Sequence, residues 1–351
     1  MTERPEFPPE QVAEARAWLA AHGATEADLA VHPSDLPGVA LELRLERDAS
    51  LSACDLAGRL GSTVDEVVEI FGELGIAVPD VDEVRFTEAE VAFVQLLREA
   101  VVARFTPEEG HQLIVVVARA LRSMADAGIA AFVQTIETRL LAGDPTLVEW
   151  TEATADTAEL GVRLGDSLGV LFGHYLRQAA QRQRAAQEGV SSRAVMRVAV
   201  GFVDLVGFTP LSSTLTPEEL SAMMGEFESQ AFDLAVAAGA QIVKHIGDEI
   251  MFTAVDPAAA CDLALELRDS VEATTALPRG GVAYGEVITR HGDYYGPVVN
   301  LASRLTAEAV PGEVLIPQDL RDALPDREVE PAGRRLLKGF AEPVRVFSLG
   351  S

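Results

Sequence analysis

A chain of 351 residues, 48% of them hydrophobic, can bury a sizeable core and is long enough for two or three domains, which excludes a disordered or fibrous protein. Its two cysteines, Cys54 and Cys261, are too few and too far apart for a disulfide framework or a cysteine metal cluster, so a reducing compartment is expected. A net charge of −27, with acids exceeding bases both before and after residue 190, excludes general attraction to nucleic acid or anionic membrane, so a phosphate-bearing ligand needs metal and a few placed cations.

The first residues, Met1 to Glu6, lack a basic stretch followed by an apolar run, and no uninterrupted apolar stretch of about 18 residues occurs. A cytoplasmic protein without stable membrane association is expected. From about Pro8 to Gln187 the apolar residues recur at helical spacing, as in Val91 to Leu97 and Leu113 to Leu121. Breaks are expected at Gly23, Pro33 to Gly38, Pro79 to Asp82, Pro107 and Gly143 to Pro145. Between Gly165 and Gln187 the pattern turns polar, which predicts a solvated helix leading into a short linker at Gly189 to Ser192. The expected division is a helical domain at residues 1–164, a transducing helix and linker at 165–192, and a second domain at 193–351.

After the linker, strands alternate with helices. Met196 to Val203 reads as a buried strand, and Thr216-Pro217-Glu218-Glu219 supplies an N-cap, a first-turn proline and a capping-box Glu for a helix to about Ala238. Gln241 to Ile246 and Glu249 to Val255 flank Gly247-Asp248, a hairpin signal. A helix follows from Asp256-Pro257 to about Ser270, then a strand at Gly281 to Arg290, a helix at Gly296 to Ala309, and strands at Glu313 to Pro317 and Val344 to Leu349. This order predicts an α+β domain with helices on one face of its sheet.

The chemistry concentrates in this second domain. Asp204 ends a strand just before Gly207, and Asp248 follows Gly247 at a hairpin tip; two such carboxylates suit a hard divalent cation that also binds substrate phosphates. Taken singly, either Asp is as well explained as a turn residue. Two metals so held can clamp the attacking and leaving oxygens of an in-line displacement. The chain's two lysines, Lys244 and Lys338, both fall in segments suited to a compact cationic donor, although arginine-rich composition also makes lysine scarce. Asn300 and Arg304, four apart on a helix, project from one face.

With F-x-D-x-x-G-F-T at 202–209, K-x-x-G-D-E at 244–249 and D-x-x-G-x-x-V-N-x-A-S-R at 293–304, residues 194 to 349 resemble the catalytic domain of the class III nucleotidyl cyclases along its whole length. The resemblance implies a ferredoxin-like antiparallel sheet with flanking helices, and a homodimer with active sites at the catalytic-domain interface. It implies Mg²⁺ or Mn²⁺, two per site, on Asp204 and Asp248. Lys244 and Asp293 would contact adenine, Asn300 and Arg304 would stabilise the transition state, and Lys338 would contact phosphate. Backbone N–H groups of Leu205, Val206, Gly207 and Phe208, leading toward Thr209, suit the β- and γ-phosphates. A Lys donor and an Asp acceptor match the adenine edge, whereas guanine has the opposite polarity, so ATP is the expected substrate and cyclic AMP the product. The sequence departs from the usual pattern at Tyr294-Tyr295 and Pro297.

Leu51 to Ile70 looks like a helix-turn-helix, which keeps a DNA-binding regulator with a nucleotide-sensing but inactive second domain as the alternative. Its second helix carries Asp65, Glu66, Glu69 and Glu73 and no base, which opposes phosphate contact, and no nucleic-acid partner is expected. The first domain is also similar to the helical regulatory domains that precede cyclase domains in some soluble actinobacterial enzymes. His22, His32, His111 and His174 suggest control by pH, and the long apolar helices suggest a small-molecule or lipid ligand.

Overall fold

The computed structural model describes residues 6–187, 190, 192, 195–207, 213–270 and 277–350, with the side chains of 100–103 and 217–218 outside that description. The chain divides into two compact units, Met1–Gly173 and His174–Ser351.

The first unit is helical: α1 (Pro9–Ala21), α2 (Glu26–Val31), α3 (Leu36–Leu45), α4 (Ala53–Leu60), α5 (Val64–Glu73), α6 (Glu88–Arg104), α7 (Pro107–Ala131), a π-helical turn (Phe132–Glu137), α8 (Thr138–Ala142) and α9 (Leu147–Ala186). The division between the units falls within α9. Side chains that accept from otherwise unpaired first-turn N–H groups set the starts: Thr25, Ser52, Thr63 and Thr106 each form a capping box with the acid three residues on. Each such cap contributes about 1 kcal/mol. The expected break at Pro33 to Gly38 is shorter than anticipated. Asp35 caps α3 by accepting from Gly38, so Pro37 lies in the first turn, where its missing N–H costs nothing. One core gathers Leu19, Leu29, Leu36, Val39 and Trp150; a second gathers Leu56, Val67, Phe71, Phe86 and Val94 around the α4–α5 pair.

In the second unit, eight strands form one sheet: β1 (Val195–Val206), β2 (Gln241–Ile246), β3 (Glu249–Ala254), β4 (Leu277–Arg290), β5 (Asp293–Tyr295), β6 (Val314–Pro317), β7 (Val329–Arg335) and β8 (Val344–Leu349). The helices among the described residues are α10 (Pro217–Ala237), α11 (Pro257–Asp269), α12 (Pro297–Glu308) and α13 (Gln318–Ala323). The strand order is β2-β3-β1-β4-β6-β8-β7, with β5 on β4, and every pairing is antiparallel except β4 with β6. The capping box of Thr216 and Glu219 and the Asp256 cap begin α10 and α11 as expected. Strand β4 begins at Leu277, four residues before the expected start, because its first residues pair with the end of β1. The short elements β5, β7 and α13 carry weak sequence patterns and were not anticipated.

The expectation of helices on one face is corrected. Ala199, Val203 and Leu205 of β1 pack in a core with Phe227 of α10 and Leu263 of α11, while Met196, Val198, Val200 and Phe202 pack in another with Ala302 of α12. A strand covered on both faces loses its polar alternation, which is why β1 reads as one continuous apolar run.

Helix α12 lies very close to the sheet. A Cβ on Gly281 of β4 would stand 2.5 Å from the Thr306 nitrogen, 2.6 Å from Leu305 Cβ and 2.7 Å from the Ala302 oxygen. Only glycine permits this approach, and the Thr306 hydroxyl donates across it to the carbonyl of Phe202 at 3.2 Å. The helix that carries Asn300 and Arg304 is thereby seated on β1 and β4.

Candidate active site

Asp204 lies near the end of β1, opposite Glu249 on β3 and opposite Arg279 on β4. Directly opposed residues share a sheet face, so these three side chains emerge on the face of Phe202 and Met251, which is the face that α12 covers. Asp248 immediately precedes Glu249 in the β2–β3 turn. Gly247, with φ of +66°, takes the left-handed conformation such a two-residue turn requires.

Burial pushes the Asp248 carboxyl above its ordinary range, and the Asp204 charge adds to the effect while Arg279 opposes it. Glu249 is pushed up to about 7, by burial first and then by the charges of Asp204 and Asp248. The expected metal ligands therefore share one electrostatic neighbourhood. Arg279 faces it as a cation: its Nε donates to Asp204 Oδ2 at 3.0 Å, and its Nη2 lies 2.9 Å from the same oxygen.

Among the described residues, no group of three or more His, Cys, Asp or Glu forms a complete metal cage. Two carboxylates at one end of the sheet fit a divalent cation that takes one or two carboxylates from protein and the rest of its oxygens from phosphate and water.

Lys244 on β2 donates through Nζ to Asp293 Oδ2 on β5, joining two residues 49 apart in sequence. Both side chains are partly buried. Asp293 Oδ1 also accepts from the N–H of Tyr294 at 2.8 Å, which fixes the carboxylate. An irregularity between Ile242 and Lys244 makes this contact possible. Ile242 pairs with Phe252 and packs in the core of α10 and α11, yet Lys244, two residues on, pairs with Met251 on the α12 face. Regular alternation would place both on one face; the extra residue, Val243, reverses it.

Asn300 and Arg304 lie on α12, exposed and without side-chain partners among the described residues. Lys338 is exposed in the turn after β7. Of the expected phosphate loop, Leu205 and Val206 end β1, with the Leu205 side chain buried, so only its backbone is available; Gly207 follows with φ of +89°. Phe208 and Thr209 lie outside the described residues.

Sequence reasoning missed Arg279 and passed over Glu249. Glu249 was visible inside the K-x-x-G-D-E motif. Arg279 carried no local signal, because its pairing to Asp204 spans 75 residues and depends on strand register.

Residues 190–350 match the family model described as the adenylate and guanylate cyclase catalytic domain. Uncharacterized protein Rv2212 of Mycobacterium tuberculosis is 33% identical over 308 residues, covering 84% of this chain and 77% of that protein. The pH-sensitive adenylate cyclase MT1302 of the same species is 28% identical over 345 residues, covering 94% and 85%. An adenylate cyclase of Streptomyces coelicolor is 34% identical over 227 residues, covering 58% and 59%. The domain match on the sheet that carries Asp204, Asp248 and Lys244, together with similarity reaching through the helical unit, establishes that this chain is an enzyme of the adenylate and guanylate cyclase family.

Proposed function

We propose that the protein is an adenylate cyclase: the ribose 3′-oxygen of ATP attacks the α-phosphorus in line, forming 3′,5′-cyclic AMP and releasing pyrophosphate. The Lys244–Asp293 pair carries this choice of substrate. Adenine offers an acceptor at N1 and a donor at N6, so it can exchange one lysine–carboxylate contact for two contacts of matching polarity. Guanine would leave both groups mispaired, at about 1–3 kcal/mol for each desolvated polar group. The adenylate cyclase names of two similar proteins agree with this reading.

Asp204 and Asp248 would hold the two divalent ions, Mg²⁺ or Mn²⁺, which when bound make the 3′-oxygen nucleophilic and offset phosphate charge. Asn300 orients the ribose, and Arg304, always protonated and rich in donors, meets the charge that develops on the α-phosphate. Backbone N–H groups of residues 205–209 and the Lys338 ammonium hold the terminal phosphates. Asn300 and Arg304 are exposed, as residues that complete a site in a second copy must be. We therefore assign shared sites in a homodimer. Asp204→Ala and Arg304→Ala chains should each be nearly silent alone, while an equal mixture should regain about a quarter of wild-type cyclic AMP output, since half the dimers hold one intact site. A mixture as silent as its components would remove the shared-site assignment.

Residues 1–164 are proposed to control this activity through residues 165–192. Two observations support a sensor: His111 Nδ1 lies 3.1 Å from Glu73 Oε1, linking α7 to α5, and a cavity of about 460 Å³ is lined by Phe7, Leu36 and Trp150 together with the polar Glu6, Ser34 and Asp35. The first is a side-chain link between two helices of the regulatory unit, and the second is large enough for a small ligand. The pH sensitivity for which the M. tuberculosis relative MT1302 is named favours control by protonation. The pH–activity profile of the full chain should differ from that of residues 190–351 alone; identical profiles would end the pH assignment. The DNA-binding alternative is disfavoured because α5 exposes Asp65, Glu66 and Glu69. No helix among the described residues is long and apolar enough to cross a membrane.

A further inference from the structure

We propose that Arg279 is the resident counter-cation of the metal site, a positioning residue that neutralises Asp204 before metal arrives and ties that carboxylate to the helix bearing Asn300 and Arg304. This role rests on the reading of Asp204 as a metal ligand.

The guanidinium is engaged on two sides. Its Nε and Nη2 both reach Asp204 Oδ2, at 3.0 and 2.9 Å, leaving Oδ1 outside the fork. Its Nη1 donates to the carbonyl of Ala307 at 3.1 Å and, at 3.4 Å, to that of Ala309. These carbonyls belong to the end of α12, where backbone acceptors lack helical partners and the helix dipole favours a cation. Backbone pairing sets Arg279 directly across from Asp204, so the contact is built into the β1–β4 register. The planar fork spans carboxylate and helix end at once, which an ammonium group cannot do.

The charge balance gives Arg279 a second effect. Asp204, Asp248 and Glu249 crowd one end of the sheet, and the positive charge of Arg279 acts on both Asp248 and Glu249. Of the two lysines, Lys244 is paired with Asp293. A divalent ion arriving at Oδ1 must bind beside the positive charge of Arg279. The arginine therefore weakens binding of metal alone, and a triphosphate, which brings negative charge with the metal, removes that disadvantage. Arg279 thus keeps the acidic cluster ordered without metal and favours metal that arrives with nucleotide.

The test is a titration of the full chain with Mn²⁺ alone, free Mn²⁺ being read by electron paramagnetic resonance, together with kcat for cyclic AMP formation. Arg279→Gln should bind Mn²⁺ about ten-fold more tightly than wild type, since a unit charge a few ångströms away has been removed. Its kcat should fall and its metal-free Tm should drop. Arg279→Lys keeps the charge and loses the fork, so its Mn²⁺ affinity should stay near wild type while kcat falls. Equal Mn²⁺ affinity in Arg279→Gln and wild type overturns the counter-cation role. If Arg279→Gln does not fold, Arg279→Lys decides: wild-type affinity with reduced kcat supports the role, and an unchanged kcat overturns it. Asp204→Asn separates the two claims, because undiminished Mn²⁺ binding there would overturn the metal reading itself, and the role of Arg279 with it.

Discussion

Replacing Asp204 by alanine is expected to lower cyclic AMP output from ATP by at least about 10²-fold, in either Mg²⁺ or Mn²⁺. Alanine removes one of only two protein carboxylates assigned to the ions, in a reaction whose acceleration is mostly positioning and charge stabilisation. Asp204 also accepts the fork of Arg279, so alanine leaves a partly buried guanidinium with only the α12 carbonyls as partners. Asp204→Asn controls for this, since it keeps the shape and one acceptor oxygen while removing the charge. Both variants should be inactive while Asn retains more of the wild-type Tm. Output equal to wild type from either folded variant would remove the metal assignment from the site.

The double replacement Lys244→Glu with Asp293→Cys is expected to lower the ratio of kcat/KM for ATP over GTP by about 10²-fold or more. A site that pairs a base edge with its own donor and acceptor rejects the wrong edge strongly, because mismatch leaves desolvated groups unpaired. Lys244→Glu turns a donor into an acceptor, and Asp293→Cys removes the carboxylate that Lys244 now holds. Each single replacement should damage ATP turnover more than it helps GTP, since the remaining partner keeps the old polarity. An ATP/GTP ratio unchanged in the double variant would show that the pair does not read the base.

Much of the second unit was legible in the residues alone. The caps at Thr216 and Asp256, the Gly247-Asp248 turn and the apolar run of β1 are local signals, set by hydrogen bonds and spacings within a few positions. The motifs around Asp204, Lys244 and Asn300 were equally local, and they placed the two carboxylates, Lys244 and the Asn300–Arg304 pair on their elements. In the first unit the same logic found the α4–α5 pair and its acidic second helix.

What the residues alone determined is therefore the chemistry carried by each segment: carboxylates at a strand end and a hairpin tip, a lysine on the strand between, an amide and a guanidinium one helical turn apart. Tertiary structure decided which of these meet. The extra residue at Val243 turns Lys244 to the face where Asp293 lies, and regular alternation would have pointed it into the opposite core. Strand register sets Arg279 against Asp204, and Gly281 lets α12 settle close enough to share that arginine. Such contacts join positions 49 and 75 residues apart, and they depend on pairings whose energy comes from the whole sheet rather than from any neighbouring residue.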